Sequence, residues 1–185
     1  PLKIAFLLIS GALLLSLAAC KETKPEANTD ALSFTDALGR EISLSQKPER
    51  VASLLGSFAD VWMLSGGELC AAADDAWEDF GLDLPDAVNI GGAHSPSLEL
   101  LISSSPDFVI ASASTASNVE MLASLESLGI TVAYFDVDNF NDYLEMLNIC
   151  TDITGRKDLY EKNGLSLKTR IDEIRAQYAS AGLAD

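Results

Sequence analysis

His94 is the only histidine in 185 residues, and it stands in the segment Gly92-Ala93-His94-Ser95-Pro96. Imidazole changes charge near neutral pH without any help from its surroundings, and it is the commonest metal ligand. His94 could therefore ligate haem iron, donate a hydrogen bond to an oxyanion, or act as base for a serine such as Ser57 or Ser114. With no partner it is an ordinary surface or capping residue. A second group is the acidic stretch Asp74-Asp75-Ala76-Trp77-Glu78-Asp79. It lacks the alternating oxygen ligands and the glycine of a calcium loop, so it reads as a solvated loop with Trp77 as its distinctive member. The sequence contains no Gly-x-Ser-x-Gly elbow, phosphate loop, Gly-x-Gly-x-x-Gly motif or Cys-x-x-Cys pair.

The third reactive position is Cys20, which follows Leu17-Ala18-Ala19 at the end of an uncharged run over residues 4–17. That run is shorter than the roughly 20 apolar residues that span a bilayer, and it ends in small residues, as a secretory leader does. The pattern resembles the lipobox of bacterial lipoproteins. The resemblance implies that residues 1–19 are removed and that Cys20 carries the lipid. Two or more acyl chains anchor stably, at about 0.8 kcal/mol per buried methylene. Pro1 rather than Met stands first, so a few residues are expected upstream. Residues 20–31 are polar and read as a disordered tether.

Charge narrows the partners. The chain has 28 acidic and 12 basic side chains and a net charge of −16; loss of residues 1–19 removes only Lys3 and leaves −17. Nucleic acid needs a basic face and is excluded as a partner class. Anionic lipid needs one too, so membrane attachment would rest on the acyl anchor. Cys70 and Cys150 lie in apolar stretches and read as buried free thiols, although spacing alone leaves a disulfide between them open.

The elements that must position these groups alternate. Residues 32–44 suit a hairpin around Asp36-Ala37-Leu38-Gly39-Arg40. Apolar runs at 51–55, 69–73, 88–90, 108–111 and 131–135 read as buried strands. Between them lie a helix over 57–64, one opened by Ser95-Pro96 and stopped by Pro106, and one over 117–128 with Ser117 and Glu120 at capping-box spacing. Another covers 141–154. After Gly155 comes the longest helix, with Tyr160, Gly164, Leu167, Ile171, Ile174 and Tyr178 on one α-helical face. This order predicts an α/β fold: a parallel sheet with helices on both faces, ending in a long connecting α-helix. Ligands of such sheets sit beyond the carboxyl ends of the strands, which singles out loops 56–58, 74–77, 92–95, 112–115 and 136–138. Their small residues, hydroxyls, Phe58, Trp77 and His94 would suit a large, partly aromatic ligand.

The motif order Thr35-Asp36-Ala37-Leu38-Gly39-Arg40, Pro48-Glu49-Arg50-Val51-Ala52-Ser53-Leu54, Pro96-Ser97-Leu98-Glu99 and Ser105-Pro106-Asp107-Phe108-Val109-Ile110-Ala111 resembles the substrate-binding proteins of ABC importers for iron-siderophores, haem and cobalamin. The resemblance implies a protein of two α/β lobes joined by one helix, with the ligand between them. Residues 32–155 would be the N-terminal lobe and 156–182 the connecting helix, with the second lobe expected beyond residue 185. It further implies that Ser57, Phe58, Asp75, Trp77, His94 and Ser114 line the ligand side. Glu99 would pair with arginines of the ABC permease. The transported ligand would be an iron-siderophore, haem or cobalamin, with no intrinsic cofactor and no catalysis. A zinc or manganese importer of the same fold would call for more cleft histidines. An extracellular lipoprotein hydrolase would need His94 beside Ser57 or Ser114.

Overall fold

The computed structural model describes residues 32–181; Cys20, the leader and the tether lie outside the described residues. The hairpin pairs β1 (Leu32–Thr35) with β2 (Glu41–Leu44), antiparallel, with Phe34 opposite Ile42. Five parallel strands follow: β3 (Val51–Ser53), β4 (Ala71–Ala72), β5 (Val88–Asn89), β6 (Phe108–Ser112) and β7 (Thr131–Phe135). They lie in the order β5-β4-β3-β6-β7. The chain therefore runs outward from β3 to one edge, returns, and continues outward from β6. The reversal point is the β3–β6 boundary; in such sheets the flanking loops diverge there, and the carboxyl ends of β3 and β6 mark the expected ligand crevice.

Helices cover both faces. On one lie α1 (Gly56–Leu64), α2 (Asp75–Glu78) and α6 (Phe140–Thr154); on the other, α3 (Leu98–Ser103), α4 (Ala116–Glu120) and α5 (Leu122–Ser127). Strand alternation divides the core accordingly. Phe108, Ile110, Ala133 and Phe135 join Trp62, Met146 and Leu147 in one cluster. Val109, Ala111, Val132 and Tyr134 join Leu101 and Leu125 in the other. Both cysteines among the described residues are free: Cys150 is buried and its thiol is pushed well up by burial, and Cys70 is half-buried. No described helix is long and apolar enough to cross a membrane.

Four local readings change. The acidic stretch is not all loop, because Asp75–Glu78 form one helical turn. The third helix is capped by Ser97, whose Oγ accepts the Leu100 amide at 3.3 Å, so Ser95-Pro96 precede it. The 117–128 helix is two short helices meeting at Met121, and Ser117 is not its cap; the Ser117 hydroxyl donates to the Ala93 carbonyl instead. The capping box that does form joins Asn139 and Asp142 at the start of α6.

The fourth change is in the long helix. It runs from α7 (Lys157–Tyr160) through a π-helical turn, Glu161–Leu165, into α8 (Ser166–Ser180). A π turn closes i to i+5 and holds one residue more than an α turn, so it sets everything after it back by about 100°. Tyr160 and Gly164 pack on the lobe, with Gly164 in contact with Leu144 and Leu147. The predicted continuation of that face does not: Leu167 is 45% exposed, Ile174 39% and Tyr178 55%, and α8 has no buried residue.

Candidate functional site

The crevice is built from backbone first. β3 ends at Ser53, whose hydroxyl donates to the Leu55 carbonyl at 2.8 Å and shapes the turn into α1. The cap residue of α1, Leu55, offers no side-chain acceptor. The missing cap comes from the next loop: Asp75 Oδ2 accepts the Gly56 amide at 2.8 Å. This contact demands glycine. A Cβ on residue 56 would stand 2.5 Å from the Ala76 nitrogen and 2.6 Å from the Asp75 carbonyl carbon, both backbone atoms. The amides of Ser57 and Phe58 make no hydrogen bond among the described residues, so the amino end of α1 presents two free donors at the crevice.

The loop carrying His94 is fixed from both sides. The Asp74 amide donates to the Gly91 carbonyl at 3.0 Å, and the Ser97 amide to Ile90 at 2.7 Å. On the far side Asn118, fully buried, donates through Nδ2 to the Ala93 carbonyl at 3.2 Å. Asn118 Oδ1 accepts the Ser112 amide, and its backbone carbonyl accepts the Tyr134 hydroxyl at 2.7 Å. One buried residue, through its side-chain amide and its backbone carbonyl, thus ties β6, β7 and the loop after β5 together beside the crevice. Sequence reasoning passed over Asn118, and a polar residue directly before the apolar stripe that starts at Val119 gave no signal of it.

The predicted residues are placed unequally. Ser57 is half-buried in the first turn of α1, and Asp75 and Trp77 are half-buried on α2. His94 and Ser114 are exposed on their loops. Phe58 stands apart: it is 5% exposed and packs edge-on against Phe135, ring centroids 6.3 Å apart, so its ring supports the crevice wall from within the core. Glu99 is exposed in the first turn of α3 and has no ion-pair partner among the described residues.

The chemistry of the rim follows from these groups. Asp75 Oδ1 is buried without a hydrogen-bond partner, the one such side-chain atom among the described residues. The rim loops carry Asp74, Asp75, Asp136 and Asp138, and neither lysine nor arginine. Ser114 Oγ pairs with Ser112 Oγ at 3.0 Å, and His94 hydrogen-bonds to neither serine nor acid, so the nucleophile–base pair of a hydrolase is not assembled. No cluster of three metal-ligating side chains occurs among the described residues. The largest concavity described, about 540 Å³, lies at the other end of the sheet between Lys47, Glu49, Trp62 and Glu68. Size does not mark the site here, since the one buried side-chain atom without a hydrogen-bond partner among the described residues, Asp75 Oδ1, is not in the lining of that concavity.

The family model of periplasmic binding proteins matches residues 51–184. The chain belongs to this family. As a periplasmic binding protein fold it is similar to the iron uptake ABC transporter substrate-binding protein PiuA of Streptococcus pneumoniae, at 17% identity and TM-score 0.66, over 83% of this chain and 54% of that one. It is also similar to the vitamin B12 binding protein BtuF of Vibrio cholerae, at 20% identity and TM-score 0.61, over 72% and 52%. A periplasmic heme binding protein of Pseudomonas aeruginosa aligns at 20% identity and TM-score 0.63, over 73% and 48%. The chain spans about half the length of these solved structures. No curated protein sequence matches it. The likeness establishes the fold expected from the sequence, the N-terminal α/β lobe of a binding protein followed by a long helix.

Proposed function

We propose that this chain is the first lobe and connecting helix of an extracytoplasmic solute-binding lipoprotein that passes a metal complex or cobalamin to an ABC import permease. The observation that carries the reading is the strand-order reversal at β3–β6 in a member of the periplasmic binding protein family. Ser57, Asp75, Trp77, His94 and Ser114 would face the ligand, and no covalent step is involved. Glu99 would dock the permease: an exposed, unpaired carboxylate suits bidentate pairing with a guanidinium. Cys20 would hold the protein to the outer face of the membrane.

The rim favours one ligand class over another. Four acids and no lysine or arginine repel a free polyanion, so a neutral or cationic complex, such as cobalamin or a ferric hydroxamate, suits this half better than a ferric catecholate. His94 keeps haem in view, since an exposed imidazole on a cleft loop can serve as an axial ligand.

The test is titration of Trp77 fluorescence in the complete parent protein with cyanocobalamin, ferrioxamine B, haemin and a ferric catecholate. Quenching that saturates at micromolar concentration or below with at least one of them is expected. No response to any of the four overturns the reading. Residues 1–185 alone are expected to bind more weakly, and sub-micromolar affinity by calorimetry would contradict the two-lobe mechanism. A haemin absorbance change identical in His94→Ala removes His94 as iron ligand. Recovery of Cys20→Ala in the membrane fraction, with no lipid mass on the unmodified protein, removes the anchor.

A further inference from the structure

The π turn Glu161–Leu165 is the last part of the long helix held by the lobe, and it is held unusually. Asn163 Nδ2 donates to the Leu64 carbonyl, at the carboxyl end of α1, at 2.7 Å. The Asn163 carbonyl accepts the Tyr143 hydroxyl, from α6, at 2.9 Å. Gly164 fits closely against Leu144 and Leu147: a Cβ there would stand 3.0 Å from Leu144 Cδ2 and 3.2 Å from Leu147 Cδ2, a tight contact. Beyond this point the chain makes no buried contact with the lobe. A π turn is a wide, locally weak place in a helix and a recognised site of kinking. Rigid rod, weak turn and single point of attachment therefore coincide.

We propose that the π turn is a pivot on which α8 swings as a rod, and that Asn163 is the latch that limits the swing. The latch engages α1 and α6, whose amino ends both lie at the carboxyl side of the sheet. The orientation of α8 is thereby tied to the two helices that begin at the crevice. Fifteen residues of α8 make a lever of about 22 Å, so each 10° of swing moves its far end by about 4 Å.

Pulsed dipolar spectroscopy on the full chain tests this, with nitroxides on keto amino acids at the exposed positions 145 and 175, which leaves the cysteines untouched. Deletion of Lys162 gives the critical comparison. The π turn already contains one residue in excess, so removing an exposed one leaves an unbroken α-helix and keeps the rotational setting of α8. The deletion is expected to narrow the distance distribution about twofold, and Asn163→Ala to broaden it by a similar factor. Tyr143→Phe, which removes one hydroxyl and keeps the ring stacked on Phe140, is expected to broaden it less. Equal widths in the unmodified chain and the deletion overturn the pivot. A width unchanged in both Asn163→Ala and Tyr143→Phe overturns the latch, even where melting temperature falls, because a purely structural bond lowers stability without releasing the rod.

Discussion

Asp36 and Asp75 are both removed from water in part or in full, and the protein treats them differently. Asp36, at the sheet edge, has a side chain with no exposed surface and accepts five hydrogen bonds: from the amides of Leu38, Arg40 and Tyr134 and from Nε and Nη2 of Arg40. Arg40 is itself paired with Glu126, bonded to the Val132 carbonyl and stacked over the Tyr134 ring. The hairpin is thus bolted across the edge strand β7, which would otherwise present unpaired backbone. Asp75, at the crevice, accepts one hydrogen bond and keeps a second oxygen buried with none. A carboxylate that serves the scaffold has every acceptor site used, whereas one at a site meant to be completed by something else does not.

The largest effect expected from this contrast is at Asp36. Asp36→Ala leaves Arg40 and three amides without their acceptor, and breaking such a buried pair from one side costs about 3 kcal/mol or more. Urea denaturation followed by circular dichroism measures it. A loss below about 1 kcal/mol would mean that the network is decoration and that full satisfaction does not identify scaffold.

Gly56→Ala is expected to come next. Its Cβ meets backbone and not the end of a flexible side chain, so the loops after β3 and β4 must separate. The expected cost is about 2–3 kcal/mol of unfolding free energy. Trp77 on the neighbouring turn should report the displacement as a shifted emission maximum. Full stability in Gly56→Ala would show that the loops are loosely held and that Asp75 is not confined by them.

Asp75 itself should matter less to folding than either. Asp75→Ala removes the cap on α1 and is expected to cost about 1 kcal/mol, while Asp75→Asn keeps an acceptor for Gly56 and should change stability by less than about 0.5 kcal/mol. Denaturant midpoints of the two variants, measured side by side, check the ordering. If Asp75→Ala costs as much as Asp36→Ala, the unpartnered oxygen no longer separates site from scaffold.

The two carboxylates also mark what sequence can and cannot disclose. Asp36 sits in a turn motif between two alternating segments, so the hairpin was readable from local pattern, as were the five strands from their apolar runs. The pairing of Arg40 with Glu126 was not, because it joins residues 86 positions apart. The helical turn at Asp75 was hidden because acidic residues and a lone tryptophan show no helical period over four positions. The π turn left no trace at all: the spacing of Tyr160, Gly164 and Leu167 is regular in sequence, and the extra residue in the turn is held in place by Leu64, Tyr143 and Leu144 from distant elements. Asn118 and Asn163 act through backbone carbonyls they meet only in the folded chain, which no single-sequence motif encodes.

Asp60 extends the comparison to a third carboxylate, one that accepts no hydrogen bond among the described residues. It is half-buried on α1, and burial raises its pKa above the usual 3.8. It also stands close enough to Tyr143 for its charge to add to the effect of burial in pushing the phenol upward. A carboxyl whose folded pKa is raised holds its proton more tightly folded than unfolded. Its ionisation therefore costs stability, a cost absent below about pH 3.8 and complete once pH exceeds the folded value. Asp60→Asn should accordingly stabilise the protein at pH 7 by ~0.3 kcal/mol, small because the side chain keeps part of its surface in water, and should lose that advantage near pH 4. The same substitution should lower the pH at which Tyr143 ionises in an ultraviolet titration, because the neighbouring negative charge is gone. A carboxylate left without donors would then be a liability at neutral pH, in keeping with the order Asp36, Asp75, Asp60. A loss of stability in Asp60→Asn at pH 7 would show that Asp60 is held by a favourable interaction, and would break the rule that the number of donors ranks the three.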